Sequence, residues 1–462
     1  MTNQGGRREP AASAVGDDDP AVAALRSLVR APTVSHRDPA RTDGAAFDHL
    51  LDELARRFPL VHRDLAVTRP ATHALLLHWR GRTGADPLVL MAHLDVVPVD
   101  GEAPWTHPPF DAVLADSPEG PAVWGRGTLD DKGCVVAICT AVERLLGAGF
   151  VPERDVWLSF GCDEEVGGAS AVEAVEHLRS HGVRPWFVLD EGGAVAGQAF
   201  PGVAAAVGVI GVTEKGSSLF ELRARGRGGH SSTPAAGGPT ARIARAVWRL
   251  DRSAMPSSLP APTVEMLRRM APRAPFALSR LMGAADRLGP LVTRALRAAG
   301  PEAAAMTRTT LSVTTLTGSG ASNVIATTAT AGVNARILVG DSVAGVAEHL
   351  RRTIGDPGVE VSVVDAIEPS PVSPWAGEPA FSLIERTVAA VFPDAVATPY
   401  AAMAATDSRH FTRICNRVYR FAPFRMSRAQ RQSIHSYDER LTVSALLEGV
   451  DWYAALIEGL PA

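Results

Sequence analysis

The chain has 462 residues, 46% of them hydrophobic and 21% charged, with a formal net charge of −4 at pH 7. A chain of this length buries a large core in two or three domains and offers no basic field for nucleic acid or an anionic membrane. Its four cysteines, Cys134, Cys139, Cys162 and Cys415, lack C-x-x-C spacing, which argues against a disulfide framework and against a thiolate zinc site.

The first twenty residues, MTNQGGRREPAASAVGDDDP, lack the apolar run of a signal peptide and read as a disordered lead-in. The longest apolar stretch, AFPGVAAAVGVIGV, is too short and too rich in glycine to span a bilayer. The expected location is the cytoplasm, with no nucleic-acid or membrane partner. Arginine supplies almost all the basic residues. The only lysines, Lys132 and Lys215, fall in the glycine-bounded acidic motifs DDKG and TEKG.

Apolar runs then alternate with helical patterns. PLVLMAHLDVV (87–97) reads as a buried strand, CVVAICTAVERLLGAG (134–149) as a helix closed by glycine, and RDVWLSFGC (154–162) as a strand. SAVEAVEHLRSHG is a helix and PWFVLD (185–190) another strand. The alternation predicts an α/β fold, a mostly parallel sheet with helices on both faces. After Val212 the pattern changes. KGSSLFELRARG alternates apolar and polar like a half-exposed antiparallel strand. A helix (240–251), strands (309–317 and 326–339), the helix VAGVAEHLRRTIG and the strand VEVSVVD complete a β-α-β-β-α-β order, the pattern of a split βαβ domain.

Between that domain's first helix and second strand lies an arginine-rich insert, about 253–308, with short amphipathic helical patterns. It is expected to cover the active site or make an oligomer contact. Membrane-surface binding is disfavoured because proline and glycine interrupt the pattern. After about 370, AFSLIERTVAAVF and ATPYAAMAA restore the helix–strand alternation. The expected organisation is a catalytic domain of residues 21–212 and 367–462, split by a smaller domain of residues 213–366.

Ligands of open α/β sheets gather at the carboxyl ends of the strands. There this chain places His93 and Asp95, then Asp163, Glu164 and Glu165, then Asp190 and Glu191. The loop GRGTLDDKG, with adjacent Asp130 and Asp131, opens a helix of the same half. A helix cap or a solvated loop explains one carboxylate, but not the recurrence at three strand ends. A set rich in carboxylates and imidazole, without thiolate, fits zinc, with Mn2+ or Co2+ as substitutes. His93 and Asp95, two apart, share one face of an extended chain, so Asp95 can fix the imidazole tautomer. One of Glu164 and Glu165 can bind metal while the other moves a proton. His177 and His181, four apart on a helix, lack the glutamate of a zincin and read as surface residues. No G-x-S-x-G elbow and no Walker loop is present.

HLDVVPV with the following W and PPF, WGRGTLDDKG, DEEVGG, LDEGG, EKG, GGHSS, SNVI and TDSRHF occur in this order. Over nearly the whole chain after residue 20 this resembles the di-zinc aminoacylase/carboxypeptidase family, above all its carboxypeptidase S-like and N-acyl-amino-acid-hydrolase branch. The resemblance implies a zinc-exopeptidase-like sheet with an inserted lid or dimerisation domain, and two Zn2+ per chain. His93 and Glu191 would be terminal ligands to separate ions, Asp130 the bridge, and Glu165 and His435 the remaining ligands. Asp190, next to Glu191, is left open as an alternative. Asp131 would be a helix-start or supporting residue. Glu164 would be the general base and Asp95 the partner of His93. His230 would polarise the scissile carbonyl, and Asn323 and Arg336 would hold the substrate, the arginine suiting a carboxylate. The implied activity is hydrolysis of an amide or peptide bond next to a free carboxylate in N-acyl amino acids or short peptides. Dipeptidase or desuccinylase activity is the alternative, and a non-catalytic binding relative a remoter one. A homodimer through the lid is expected. Where the family commonly has H-G-x-N-E, this chain has His435-Ser436-Tyr437-Asp438-Glu439.

Overall fold

The computed structural model describes residues 18–198, 200, 202, 203 and 205–462; residues 1–17 of the expected disordered lead-in lie outside them. The first helix, Pro20–Val29, starts on Asp19, whose carboxylate accepts from the Ala21 and Val22 amides.

The large sheet is organised around the strand Leu88–His93, all six residues of which are buried. It runs parallel to Val156–Gly161 on one side and to Phe187–Asp190 on the other. Val418–Arg420 adds in parallel to Phe187–Asp190, and Val396–Ala402 runs parallel to Val207–Glu214. Antiparallel strands close one flank, Ala66–Thr68 and Leu75–Trp79. The result is a mixed sheet, parallel at its centre. Continuous apolar runs are needed there because both faces are covered. Leu88, Leu90 and Ala92 join the core formed with helices Pro20–Val29, Lys132–Gly147 and Val443–Glu458, whereas Val89 and Met91 join the opposite core with helix Ala169–Ser180. The period of two along the strand puts its neighbours on opposite faces.

A separate antiparallel sheet has the order Thr310–Thr317, Thr328–Ile337, Gly216–Arg225, Val359–Ile367. Helices Pro239–Asp251 and Val343–Ile354 pack on it through Ile243, Ala246, Val346 and Leu350. Residues of Gly216–Arg225 alternate between buried and half-buried, as the sequence alternation predicts.

The arginine-rich insert folds into helices Ala261–Met270, Phe276–Gly283, Gly289–Ala298 and Pro301–Ala305. Their inner faces (Met266, Met270, Met282, Val292, Leu296) share a core with Val207 of the large sheet. Arg269 of the first helix pairs with Glu385 and donates to the Ala397 carbonyl at 3.2 Å. At the other end of the insert, Lys215 Nζ donates to the carbonyls of Ala305 (2.6 Å) and Arg308 (2.8 Å). The insert therefore spans from the small sheet to the large one. Among the described residues, no helix is long and apolar enough to cross a membrane.

Candidate metal centre

Parallel strands end at one edge of the large sheet. His93 is the last residue of its strand, Glu164 and Glu165 form a short turn after Val156–Gly161, and Glu191 follows Phe187–Asp190. Asp130 comes from the turn that leads into helix Lys132–Gly147. His435 enters from the loop after helix Arg428–Ser433, 270 residues beyond Glu165 along the chain.

Asp130 stands between the two imidazoles, with Oδ1 2.9 Å from His93 Nε2 and Oδ2 2.9 Å from His435 Nε2. Glu165 Oε1 lies 3.1 Å from His435 Nε2, and Glu191 Oε1 lies 3.9 Å from His93 Nε2. Ligand atoms of His93, Asp130 and Glu191 lie within 4.8 Å of one another. The same holds for Asp130, Glu165 and His435, and for His93, Glu164 and Glu165. Two donor groups that share one carboxylate can hold two cations. Glu191 rather than Asp190 joins the first group. The Asp190 carboxylate is turned away, accepting from the Ser408 and Glu191 amides.

The charges point the same way. Burial works against a charged His93, but the Asp130 and Asp95 carboxylates outweigh it and hold the imidazole well above its ordinary value. Asp130 and Glu165 raise His435 to about 10. Burial raises the carboxyl groups of Glu164, Glu191 and Asp131, and neighbouring carboxylates add to it. Buried acids crowded against each other cannot all ionise without a compensating positive charge. An all-oxygen-and-imidazole donor set of this kind fits a divalent metal pair.

The supporting shell is built from side chains that hold backbone. His93 Nδ1 donates to the main-chain carbonyl of Asp95 at 3.0 Å, which leaves Nε2 free for a ligand; the Asp95 carboxylate is farther, at 3.4 Å. The expected carboxylate–imidazole bond is thus secondary. The Asp95 carboxylate instead accepts from the amides of Glu164 and Glu165, both at 3.2 Å, and from Ser35 Oγ at 2.6 Å. Asp131 sits at the N-cap position without capping the helix, and its Oδ2 accepts from the His93 amide. Helix Ala169–Ser180 takes its N-terminal acceptor from Asp163, which binds the Ser170 amide and hydroxyl. Glu164 and Glu165 are therefore free of capping.

Some of these contacts are invisible to motif reading. Glu439 Oε1 accepts from the amides of Leu129 (2.8 Å) and Asp130 (3.2 Å), fixing the Asp130 loop. Its Oε2 pairs with Arg126 at 2.7 Å, and Arg126 also donates to the Ser436 carbonyl. Asp438 accepts from the Thr106 amide and hydroxyl, tying the Trp105 loop to that of His435. The backbone is left-handed at His435 (φ 60°) and Asp438 (φ 58°), not at Ser436, so no glycine is required after this histidine. Glycine is required at Gly168: φ is +70°, and a Cβ there would meet Asp407 Oδ1 at 1.7 Å.

The residues of the smaller sheet form their own group. Gly229–His230 pairs with Val324–Ile325, and the Ser231 amide donates to the Asn323 carbonyl, so His230 and Asn323 are neighbours. Ser232 donates its amide to His230 Nδ1 at 3.1 Å and holds its hydroxyl oxygen 2.8 Å from the same nitrogen, which leaves Nε2 to face a ligand. Arg336 lies opposite Ser217 and Thr310 and is exposed. Among the described residues, no hydrogen bond or ion pair joins His230, Asn323 or Arg336 to the metal cluster. His177 and His181 stack on each other on an outer helix, away from it.

Comparison with known proteins agrees with this geometry. The family model described as Peptidase family M20/M25/M40 matches residues 89–459. A probable carboxypeptidase S-like protein of Dictyostelium discoideum is 34% identical over 406 residues, 87% of this chain and 77% of that protein. An N-fatty-acyl-amino acid synthase/hydrolase of Xenopus tropicalis is 34% identical over 443 residues, 95% of this chain and 85% of that protein. In fold, the chain superposes on an M20 family metallo-carboxypeptidase of Sulfolobus solfataricus with a TM-score of 0.68 at 17% identity, covering 95% of this chain and 99% of the other. Human carnosine dipeptidase 1 gives 0.66 at 16%, covering 96% of each. The chain belongs to peptidase family M20/M25/M40, a family of metal-dependent hydrolases, and is an enzyme of that type.

Proposed function

We propose that the protein hydrolyses the amide bond next to a free carboxylate in N-acyl amino acids or short peptides, using two Zn2+ held by His93, Asp130, Glu165, Glu191 and His435. The observation that carries this reading is the placement of Asp130 between two imidazoles, each with its own glutamate, and of Glu164 beside His93. Bound divalent metal supplies Lewis acidity at the water and at the scissile carbonyl.

Glu164 takes a proton from the attacking water as the new C–O bond forms, and returns it to the amine as the C–N bond breaks. Asp95 holds the Glu164 and Glu165 amides in place throughout. His230, protonated on Nε2, donates to the oxygen that gains charge. Asn323 and Arg336 hold the substrate, the guanidinium receiving its carboxylate. In this reading residues 21–212 and 367–462 carry catalysis, and residues 213–366 form a lid that also joins two copies. Four free thiols fit a reducing cytoplasm.

The test is turnover of a panel of N-acyl amino acids and dipeptides by zinc-loaded and chelator-treated protein, with blocked-carboxylate amides as controls. Metal-dependent release from free-carboxylate substrates alone is expected. Equal release from the blocked amides would contradict the role given to Arg336, and no release across the panel would overturn the reading.

A further inference from the structure

The insert carries a surface that neither the metal centre nor the fold uses. Proline and glycine argued against membrane contact in the sequence, yet proline stands in the first turn of the helices at Ala261, Gly289 and Pro301, where its missing amide costs nothing. The helices are intact, and their inner faces are filled. Their outer faces are not. Phe276 is 79% exposed, Leu291 57% and Leu288 37%. Among them stand Arg280, Arg287, Arg294 and Arg297, all exposed and, among the described residues, without a carboxylate partner. Arg280 stacks on Phe276, with its guanidinium carbon 5.7 Å from the ring centroid, so cation and ring share one face. On helix Gly289–Ala298, Leu291 and Arg294 lie three apart on the face opposite the buried Val292 and Leu296.

Within 276–297 the only acidic residue is Asp286, and Arg268 answers it at 3.7 Å. A chain with net charge −4 thus concentrates uncompensated positive charge and apolar side chains on one short helical segment. A second copy apposing the same residues would bring like charges together, which disfavours that pairing. An anionic surface with an apolar layer beneath satisfies both features at once.

We propose that the segment 276–294, through its exposed Phe276, Arg280, Leu288, Leu291 and Arg294, docks the protein onto an anionic lipid surface. Phe276, Leu288 and Leu291 enter the acyl boundary, and the arginines pair with headgroup phosphates. The contact is peripheral and weakens with salt, because the arginines are solvent-exposed.

The experiment is sedimentation of the full chain with phosphatidylcholine vesicles, with and without phosphatidylglycerol, at low and high salt. Binding to the phosphatidylglycerol vesicles and its loss at high salt are expected. Arg280→Gln/Arg294→Gln and Phe276→Ser/Leu291→Ser should each lower the partition coefficient by about tenfold. Melting temperature and hydrolysis of a short, water-soluble substrate should stay unchanged. Should the apolar variant fail to fold, the arginine variant decides the matter alone. No sedimentation with anionic vesicles, equal binding to pure phosphatidylcholine, or folded variants that bind like the parent would each overturn the proposal. Vesicle binding is read without turnover, so its failure is distinct from a failure of the amide-hydrolysis reading.

Discussion

Arg126 and Glu439 form a buried ion pair at 2.7 Å that ties together two loops of the candidate metal centre. Glu439 holds the Leu129 and Asp130 amides, and Arg126 holds the Ser436 carbonyl beside His435. The pair therefore helps set the distance between the Asp130 carboxylate and the more exposed of the two histidines, His435. Removing one partner strands a buried charge, so Arg126→Met should cost about 3–5 kcal/mol in chemical denaturation. It should also weaken metal binding at His435 more than at His93. The double variant Arg126→Met/Glu439→Gln should recover part of the stability, because Gln still accepts from the two amides. A titration in which both metals are bound as in the parent would show that the pair does not set the site.

The donor group with His435 should also govern how stability depends on pH in metal-free protein. Asp130 and Glu165 raise His435 to about 10, above its ordinary 6.5. This stabilisation is fully present below about 6.5 and is lost as pH rises toward about 10. The raised carboxyls of Glu164 and Glu191 act in the same direction, since the folded state favours their neutral forms. Chelator-treated protein should therefore lose stability as pH rises from mildly acid to alkaline, and His435→Asn should show a shallower slope. Metal binding to the parent should release protons, read by calorimetry in buffers of different ionisation enthalpy.

Gly168→Ala should be severe for a residue so small. A left-handed backbone costs a Cβ about 1–2 kcal/mol, and the overlap with Asp407 Oδ1 adds to that. Because Gly168 closes the turn that carries Glu164 and Glu165, both stability and turnover should fall. Ala at Gly182, whose φ is +71° and whose Cβ would meet nothing within 4 Å, should cost less. Equal effects at the two positions in urea unfolding would remove the Asp407 contact as the cause.

For His230, the Ser232 amide donates to Nδ1 and leaves Nε2 to face a ligand. His230→Ala should lower kcat by about 10²–10³-fold with KM changed little, the pattern of an interaction made in the transition state. Ser232→Ala removes the hydroxyl 2.8 Å from Nδ1 but keeps the backbone amide, and should cost far less than His230→Ala. A large rise in KM for His230→Ala at constant kcat would instead assign the residue to ground-state binding.

Much of this centre was legible in the sequence because its residues follow directly on apolar strands. His93 ends LVLMAH, Glu164 and Glu165 follow the strand to Gly161, and Glu191 follows FVLD. The helices and strands of the smaller sheet were legible from period, Gly216–Arg225 above all. What escaped is long-range. Arg126 and Glu439 are 313 residues apart, and neither shows a local pattern that announces the other. Nor does spacing reveal that the Asp95 carboxylate serves the Glu164 and Glu165 amides, or that Asp190 turns toward Ser408. Burial of the insert's inner faces against Val207 is equally unreadable, since short amphipathic helices pack on a sheet or on a partner with the same pattern.

The central claim is that Glu164 moves the proton while five other side chains hold the metal, and Glu164→Gln separates the two most directly. The variant and parent are loaded with zinc, metal per chain is counted, and turnover is measured on one N-acyl amino acid. Two metals per chain in both proteins, with turnover in the variant down by at least about 10²-fold, is the result this account predicts. Full metal content with turnover near that of the parent would show that the base is another residue and contradict it.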